Sequence, residues 1–91
     1  MVISAQLSVY PLRQDHLSPA IQVVHQVLTA VGLQPEVGPM STFVTGEAEV
    51  LFTALREAFL RTAAMGHVVM SVTLSNACPI GGQGPHDMGD L

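Results

Sequence analysis

The spacing of hydrophobic residues changes in a fixed order along this 91-residue chain, and that order limits the possible folds more than any other feature. In residues 2–10 apolar and polar residues alternate, which is typical of a strand with one buried face. In residues 18–31 the apolar spacing becomes three and four, which indicates a helix with one buried stripe. Pro11 ends the first pattern and Gly32 ends the second. The chain therefore begins with a strand and a helix.

Four further segments complete the order. Residues 33–38 form a short segment whose proline suits an edge strand. Residues 41–46 are rich in β-branched side chains and predict a second strand of a hairpin. Residues 47–64 return to helical spacing, and residues 67–75 alternate again. The predicted order is β-α-β-β-α-β.

This order predicts an α+β fold. Two right-handed strand-helix-strand crossovers joined by a hairpin give a four-stranded antiparallel sheet with both helices on one face, the ferredoxin-like sandwich. We expect this domain to span residues 1–78 and to be followed by a glycine- and proline-rich tail at 79–91. The apolar stripe of the second helix is predicted to include the following residues: Leu51, Phe52, Leu55, Ala58 and Phe59.

The chain has little charge for a soluble domain. Charged residues make up 11% of it and hydrophobic residues 48%, whereas roughly 25% of an average soluble domain is charged. The open face of the predicted sheet carries small polar side chains rather than lysines and glutamates: Ser4, Gln6, Ser8, Ser71, Thr73 and Ser75. We therefore expect a second copy of the chain to cover part of the surface, in a homodimer or homotetramer.

The charges also exclude several functions. The chain has three arginines, no lysine and a formal net charge of −4, so nucleic acid is an improbable partner and Schiff-base catalysis through lysine is impossible. It lacks an apolar run of about 18 residues, and its first fifteen residues do not resemble a signal peptide. The single cysteine, Cys78, agrees with a reducing compartment. We expect a cytoplasmic protein without a membrane partner.

Residues that commonly carry catalysis or bind metals are scattered. The four histidines show no metal-ligand spacing, Cys78 has neither a second cysteine nor an assigned base, and the glycine-rich segment 81–84 lacks the Lys-Ser/Thr pair of a phosphate loop. The sequence predicts no metal site, no cofactor and no enzyme activity. One alternative is a small isomerase or oxygenase with His25 or Glu47 as its titratable group. The other is an oligomeric regulatory module that senses another metabolite.

Polar and adaptable side chains collect near the predicted strand ends. Because the first and third strands are antiparallel neighbours, Tyr10 is expected near Thr42, whereas Asn76 lies nearer the opposite end of the sheet. The stretch "MST" at 40–42 combines a flexible thioether with two hydroxyls that donate and accept, which suits a flat nitrogen heterocycle. Alternatively, these hydroxyls satisfy local backbone groups of a hairpin. The candidate ligand-binding residues are Ser8, Tyr10, Met40, Ser41, Thr42, Glu47, Thr73 and Asn76.

Three segments carry a family resemblance. "AQLSVYPL" at 5–12, "VGLQPEVGPMSTFVTGE" at 31–47 and "GHVVMSVTLSNAC" at 66–78 resemble the YkoF-like thiamine-binding proteins. The resemblance implies binding of thiamine or its hydroxymethylpyrimidine half, without turnover, by dimers and often tetramers. Because this chain carries a single copy of a repeat that some members have twice, a site needing two repeats would require association.

The resemblance also assigns roles to the matching positions. It implies that Tyr10 stacks on the pyrimidine, that Met40 walls the ring, and that Ser41 and Thr42 meet its amine and ring nitrogens. Glu47 would hold the aminopyrimidine edge or lie near the thiazolium cation. The assignment of three further residues to the site depends on their strand position alone: Ser8, Thr73 and Asn76. The acidic balance predicts a preference for thiamine or the free pyrimidine over thiamine diphosphate.

Overall fold

The computed structural model describes residues 1–13, 16–39 and 41–77. The elements follow one another in the predicted order, which confirms the α+β ferredoxin-like fold. They are β1 (Val2–Pro11), α1 (Ser18–Ala30), β2 (Glu36–Val37), β3 (Thr42–Glu47), α2 (Ala48–Ala63) and β4 (Val68–Ser75). The predicted tail at 79–91 and Cys78 lie outside the described residues.

The four strands form one antiparallel sheet in the order β2-β3-β1-β4. The register places Val2 opposite Glu47 and Leu7 opposite Thr42. On its other side β1 pairs with β4 as far as Pro11, which lies opposite Val68. The last four residues of β1 therefore pair with β4 but extend past the point where β3 begins.

The core lies between one face of the sheet and the two helices. Alternate residues of β1 point into it, as the period-two pattern predicts. Leu7, Leu28 and Leu51 are among its largest fully buried side chains. The complete buried hydrophobic set is Ile3, Ala5, Leu7, Val9, Ala20, Val24, Val27, Leu28, Val44, Leu51, Ala54, Leu55 and Ala58.

The apolar pattern overstates burial near β4. Phe52 and Phe59 do not widen the buried stripe of α2, because they are 52% and 41% exposed. At 100° per residue both lie well to one side of Leu51, away from α1. Val72 and Leu74 lie on the helix-facing side of the sheet, opposite buried residues of β1. They are nevertheless 37% and 43% exposed. The two helices thus leave part of the edge strand uncovered by described residues.

Element boundaries differ from the predicted ones by a few residues. The residue before α1 is Leu17 rather than Ser18, and its carbonyl accepts the first helical hydrogen bond from the Ile21 N–H at 3.2 Å. β2 contains two residues instead of the six predicted at 33–38. α2 ends at Ala63, one residue before the predicted helix end at 64 and three residues before the predicted cap at Gly66. None of the described helices is long and apolar enough to cross a membrane.

Candidate functional site

A cleft of about 120 Å³ opens between the end of β1, the β2–β3 hairpin and the first turns of α1. It exists because β1 pairs with β3 only as far as Leu7, so the following residues of β1 face the hairpin loop across a gap. The cleft is lined by Leu7, Ser8, Val9, Tyr10, Leu17, Ile21, Val24, Val37, Gly38, Pro39, Ser41 and Thr42.

The hairpin loop forms the wall opposite β1. The Gly38 N–H donates to the Ser41 carbonyl oxygen at 2.8 Å, which closes the turn. A Cβ atom at Gly38 would lie 3.3 Å from that oxygen, so a larger residue would crowd the bond. This turn sets the position of Ser41 and Thr42 relative to β1.

Thr42 supplies a buried hydroxyl to the cleft. Its partner Leu7 points into the core, so the Thr42 side chain lies on the helix side of the sheet, where it is 7% exposed. None of the side-chain hydrogen bonds among the described residues involves this hydroxyl, and no described side-chain oxygen is both fully buried and without a partner, so the Thr42 oxygen remains accessible from the cleft. The cleft is therefore the place where a ligand or water can satisfy this hydroxyl.

Three further polar side chains reach the cleft from the open side of the sheet. Tyr10 is exposed, Ser8 is half-buried, and Ser41 is half-buried at the hairpin. The Gln6 Nε2 group donates a hydrogen bond to the Ser41 hydroxyl oxygen at 3.0 Å. The cleft is thus bordered by hydroxyls from both faces of the sheet.

The structure brings together four of the eight candidate residues and separates three. Ser8, Tyr10, Ser41 and Thr42 line one cleft. Met40 lies outside the described residues. The other three do not line the cleft: Glu47, Thr73 and Asn76.

Glu47 lies at the far end of β3. It lies five positions beyond Thr42, or about 17 Å along a strand. Its Oε1 atom is 3.1 Å from the amino group of Met1, and the Met1 carbonyl accepts a hydrogen bond from the Ala48 N–H. The observed contacts of Glu47 are therefore with the chain's first residue.

Thr73 and Asn76 lie on the β4 side of the sheet. Thr73 is opposite Gln6 on the open face, and it is exposed. Asn76 follows the end of β4, near the Ser4–Ser75 pair and far from the Tyr10–Val69 pair. This position agrees with the expectation that Asn76 lies nearer the opposite end of the sheet.

The sequence reasoning missed the apolar half of the cleft. Leu17 and Val37 are exposed side chains that line it, and Ile21 is partly buried there. The spacing of Leu17 and Ile21 places both on one side of α1 and was an available signal. Pro39 completes this wall.

The cleft contains few groups for acid–base or metal chemistry. Tyr10 is the one titratable side chain among its described lining residues. The described part of the chain also has no group of three His, Cys, Asp or Glu side chains arranged to hold a metal. The observed chemistry of the cleft is a set of neutral hydroxyls beside apolar walls.

Several solved structures share this fold. A Streptococcus pneumoniae protein is 24% identical with a TM-score of 0.79, and the match covers 100% of both chains. A Methanocaldococcus jannascii hypothetical protein is 20% identical with a TM-score of 0.76, covering 99% of this chain and 98% of the other. At these identities the similarity establishes the fold.

A third solved structure has a description that mentions thiamine. It is a Thermotoga maritima protein described as a candidate for thiamine biosynthesis or salvage, 22% identical with a TM-score of 0.73. The match covers 82% of this chain and 83% of that chain. No curated protein matches the present sequence.

The sequence model of the YKOF-related family matches residues 2–81, which include every described helix and strand. This match confirms the resemblance found in the three sequence segments. The chain belongs to the YKOF-related family.

Proposed function

We propose that this protein binds thiamine through its hydroxymethylpyrimidine half, or the free pyrimidine, and releases it unchanged. The observation that carries the proposal is the Thr42 hydroxyl, which belongs to a largely buried residue that lines the cleft and whose oxygen is open to the cleft rather than sealed in the core. A planar heterocycle with ring nitrogens and an amino group supplies both the acceptors and the donor that such hydroxyls need. Family membership and the description of the Thermotoga maritima protein support the same ligand class.

The dimensions of the cleft favour one small ring. Its volume of about 120 Å³ is below the roughly 300–1,000 Å³ of typical drug-sized sites. Leu17, Ile21 and Val37 would contact one side of the ring, and Tyr10 would stack against it. The thiazolium half of thiamine would then extend out of the cleft.

Charge supports discrimination against phosphate esters. The described lining contains no arginine or histidine that would pair with a phosphate, and the whole chain carries a net charge of −4. An anionic diphosphate, carried on the half that extends out of the cleft, would be repelled by the net negative chain without gaining an ionic partner among the described lining residues. We therefore propose that thiamine and the free pyrimidine bind more tightly than thiamine diphosphate.

Assembly into dimers or tetramers forms part of the proposal. Tyr10, Phe43 and Val69 are large exposed hydrophobic residues on the open face of the sheet. A second copy packed on this face would cover them together with the open side of the cleft. Sedimentation of a clean monomer at micromolar concentration would contradict this assembly.

Release without turnover is supported by the neutral lining of the cleft. Acid–base catalysis requires a titratable group within reach of the reacting atoms. Tyr10 is the only such side chain among the described lining residues, and no acid–base partner for it lines the cleft. We expect thiamine to be recovered chemically intact after prolonged incubation, as judged by mass spectrometry.

Calorimetric titration tests the ligand assignment. The panel contains thiamine, hydroxymethylpyrimidine and thiamine diphosphate, with Tyr10→Ala and Tyr10→Phe as matched variants. We expect the diphosphate to bind at least about threefold more weakly, since its exposed charge is repelled by the acidic chain. Loss of stacking in Tyr10→Ala should weaken binding by about threefold to tenfold, whereas Tyr10→Phe should retain it. Equal or tighter binding of the diphosphate would contradict the proposal.

A further inference from the structure

Gln6 holds the hydroxyl of Ser41 from outside the cleft. It lies on the open face of β1, opposite Phe43 on one side and Thr73 on the other. Its Nε2 group donates to the Ser41 hydroxyl oxygen at 3.0 Å, so the bond joins β1 to the hairpin beside the gap. Gln6 itself is not among the residues that line the cleft.

This bond determines what Ser41 can offer to a ligand. A hydroxyl has one hydrogen to donate and two lone pairs to accept with. Because the amide N–H of Gln6 occupies one lone pair, the Ser41 hydrogen remains available for another acceptor. The Ser41 backbone carbonyl already accepts from Gly38, which fixes the main chain at this point.

We propose that Gln6 is a positioning residue that makes Ser41 a hydrogen-bond donor and thereby selects ligands with an acceptor nitrogen in the ring. The inference rests on the proposed function and deepens it. It assigns the Ser41 O–H to a ring nitrogen; the exocyclic amine, which is a donor, could use only the one lone pair that Gln6 leaves free. An aromatic ring without that nitrogen would leave the Ser41 donor unsatisfied, and such losses are costly in a desolvated site.

Two substitutions of Gln6 separate the donor from the acceptor role. A carboxylate only accepts and an ammonium only donates. In Gln6→Glu the Ser41 hydrogen is drawn to the new carboxylate, whereas in Gln6→Lys it remains free for the ligand. Electrostatic attraction to cationic thiamine would produce the opposite order, so neutral hydroxymethylpyrimidine is the appropriate probe. Thr45→Glu is the charge-matched control, because Thr45 is exposed on the same face and does not line the cleft.

The experiment measures affinity for hydroxymethylpyrimidine and for its two pyridine analogues, in each of which one ring nitrogen is replaced by CH. For the wild-type protein we expect one analogue to bind about fivefold to tenfold more weakly than the pyrimidine. The ratio of the dissociation constant of that analogue to that of the pyrimidine should fall to about one in Gln6→Glu. The ratio should persist in Gln6→Lys and Thr45→Glu. A purely structural role of Gln6 would weaken all three compounds alike and leave the ratio unchanged.

The possible results distinguish this inference from the proposed function. If the wild-type protein binds the pyrimidine but the ratio is unchanged in Gln6→Glu, the role of Gln6 is refuted and the ligand assignment remains. The same conclusion holds if the wild-type protein treats both pyridines like the pyrimidine, or if both Gln6 variants lose the ratio. If the wild-type protein binds neither thiamine nor the pyrimidine, the proposed function and this inference are overturned together. Melting temperatures of all variants verify that they are folded.

Discussion

Replacing Thr42 by valine should stabilise the free protein while it weakens ligand binding. Thr42 is 7% exposed, and its hydroxyl oxygen faces the cleft, where only a ligand or water can complete its hydrogen bonding among the described residues. Burying a hydroxyl without a partner costs about 1–3 kcal/mol in protein mutational data. Water in the cleft recovers part of this cost, so we expect Thr42→Val to raise the free energy of unfolding by about 0.5–1 kcal/mol. For a domain of this size that raises the melting temperature by about 2–8 °C.

Thr62→Val is the matched control, because it makes the same chemical change at another buried position. The Thr62 hydroxyl donates to the carbonyl oxygens of Ala58 at 2.9 Å and Phe59 at 3.0 Å. Its removal should lower the free energy of unfolding by about 0.5–1.5 kcal/mol, the net value of a satisfied hydrogen bond. The two variants are therefore expected to shift the urea-unfolding midpoint in opposite directions.

The same pair tests the site. Thr42→Val should weaken hydroxymethylpyrimidine binding by about fivefold to tenfold, corresponding to one hydrogen bond, and Thr62→Val should leave affinity unchanged. Calorimetry at a temperature where both variants are folded measures this difference. Two results would contradict this reasoning: Thr42→Val lowers the free energy of unfolding as much as Thr62→Val does, or it binds the pyrimidine as well as wild type. Either result would show that the Thr42 hydroxyl does not bond a ligand in the cleft.

Three further predictions concern other parts of the fold. Leu51→Ala should lower the free energy of unfolding by about 2–5 kcal/mol in chemical denaturation, because Leu51 is fully buried and its truncation leaves a cavity; a loss below about 1 kcal/mol would contradict its place in the core. Glu47→Gln should change the melting temperature of the free protein very little, because the ion pair with the Met1 amine is exposed and such pairs contribute little. The same Glu47→Gln variant should bind thiamine like wild type in calorimetry, and a tenfold loss would show that Glu47 contacts the ligand. Leu74→Ser should leave a folded protein by circular dichroism with increased solubility, because Leu74 is exposed at the sheet edge; a cooperative loss of structure would contradict that exposure.

Hydrophobic periodicity was sufficient to predict the order of elements and the buried side of the central strand. In β1 the alternating residues are buried as expected, because both helices lie over that strand's apolar face. The same reasoning failed at Phe59 and Leu74, since a period identifies which residues share a face and not whether anything covers that face. The edge strand β4 has the sequence pattern of a buried strand, but among the described residues it is left largely exposed.

The candidate site was predicted in part for a similar reason. Tyr10 and Thr42 are distant in sequence, but antiparallel pairing of the two central strands requires the end of one to approach the start of the other. Glu47 is close to Thr42 in sequence and lies in the same segment of family resemblance. An extended strand nevertheless carries it to the other end of the sheet, where it pairs with the Met1 amine. Proximity in sequence within a strand is therefore poor evidence for a shared pocket.

The hairpin places two adjacent hydroxyls on opposite sides of the sheet. Successive side chains of an extended chain alternate between faces, so Thr42 lies on the helix side with Leu7 while Ser41 meets Gln6 on the open side. In the interior of a sheet such a pair would be separated by the neighbouring strand. Here β1 pairs with β3 only as far as Leu7, and the gap beyond it lets both hydroxyls border one cleft. A flat ring that enters this gap edge-on would contact a donor or acceptor on each face, which explains why two neighbouring residues of one hairpin can serve one ligand.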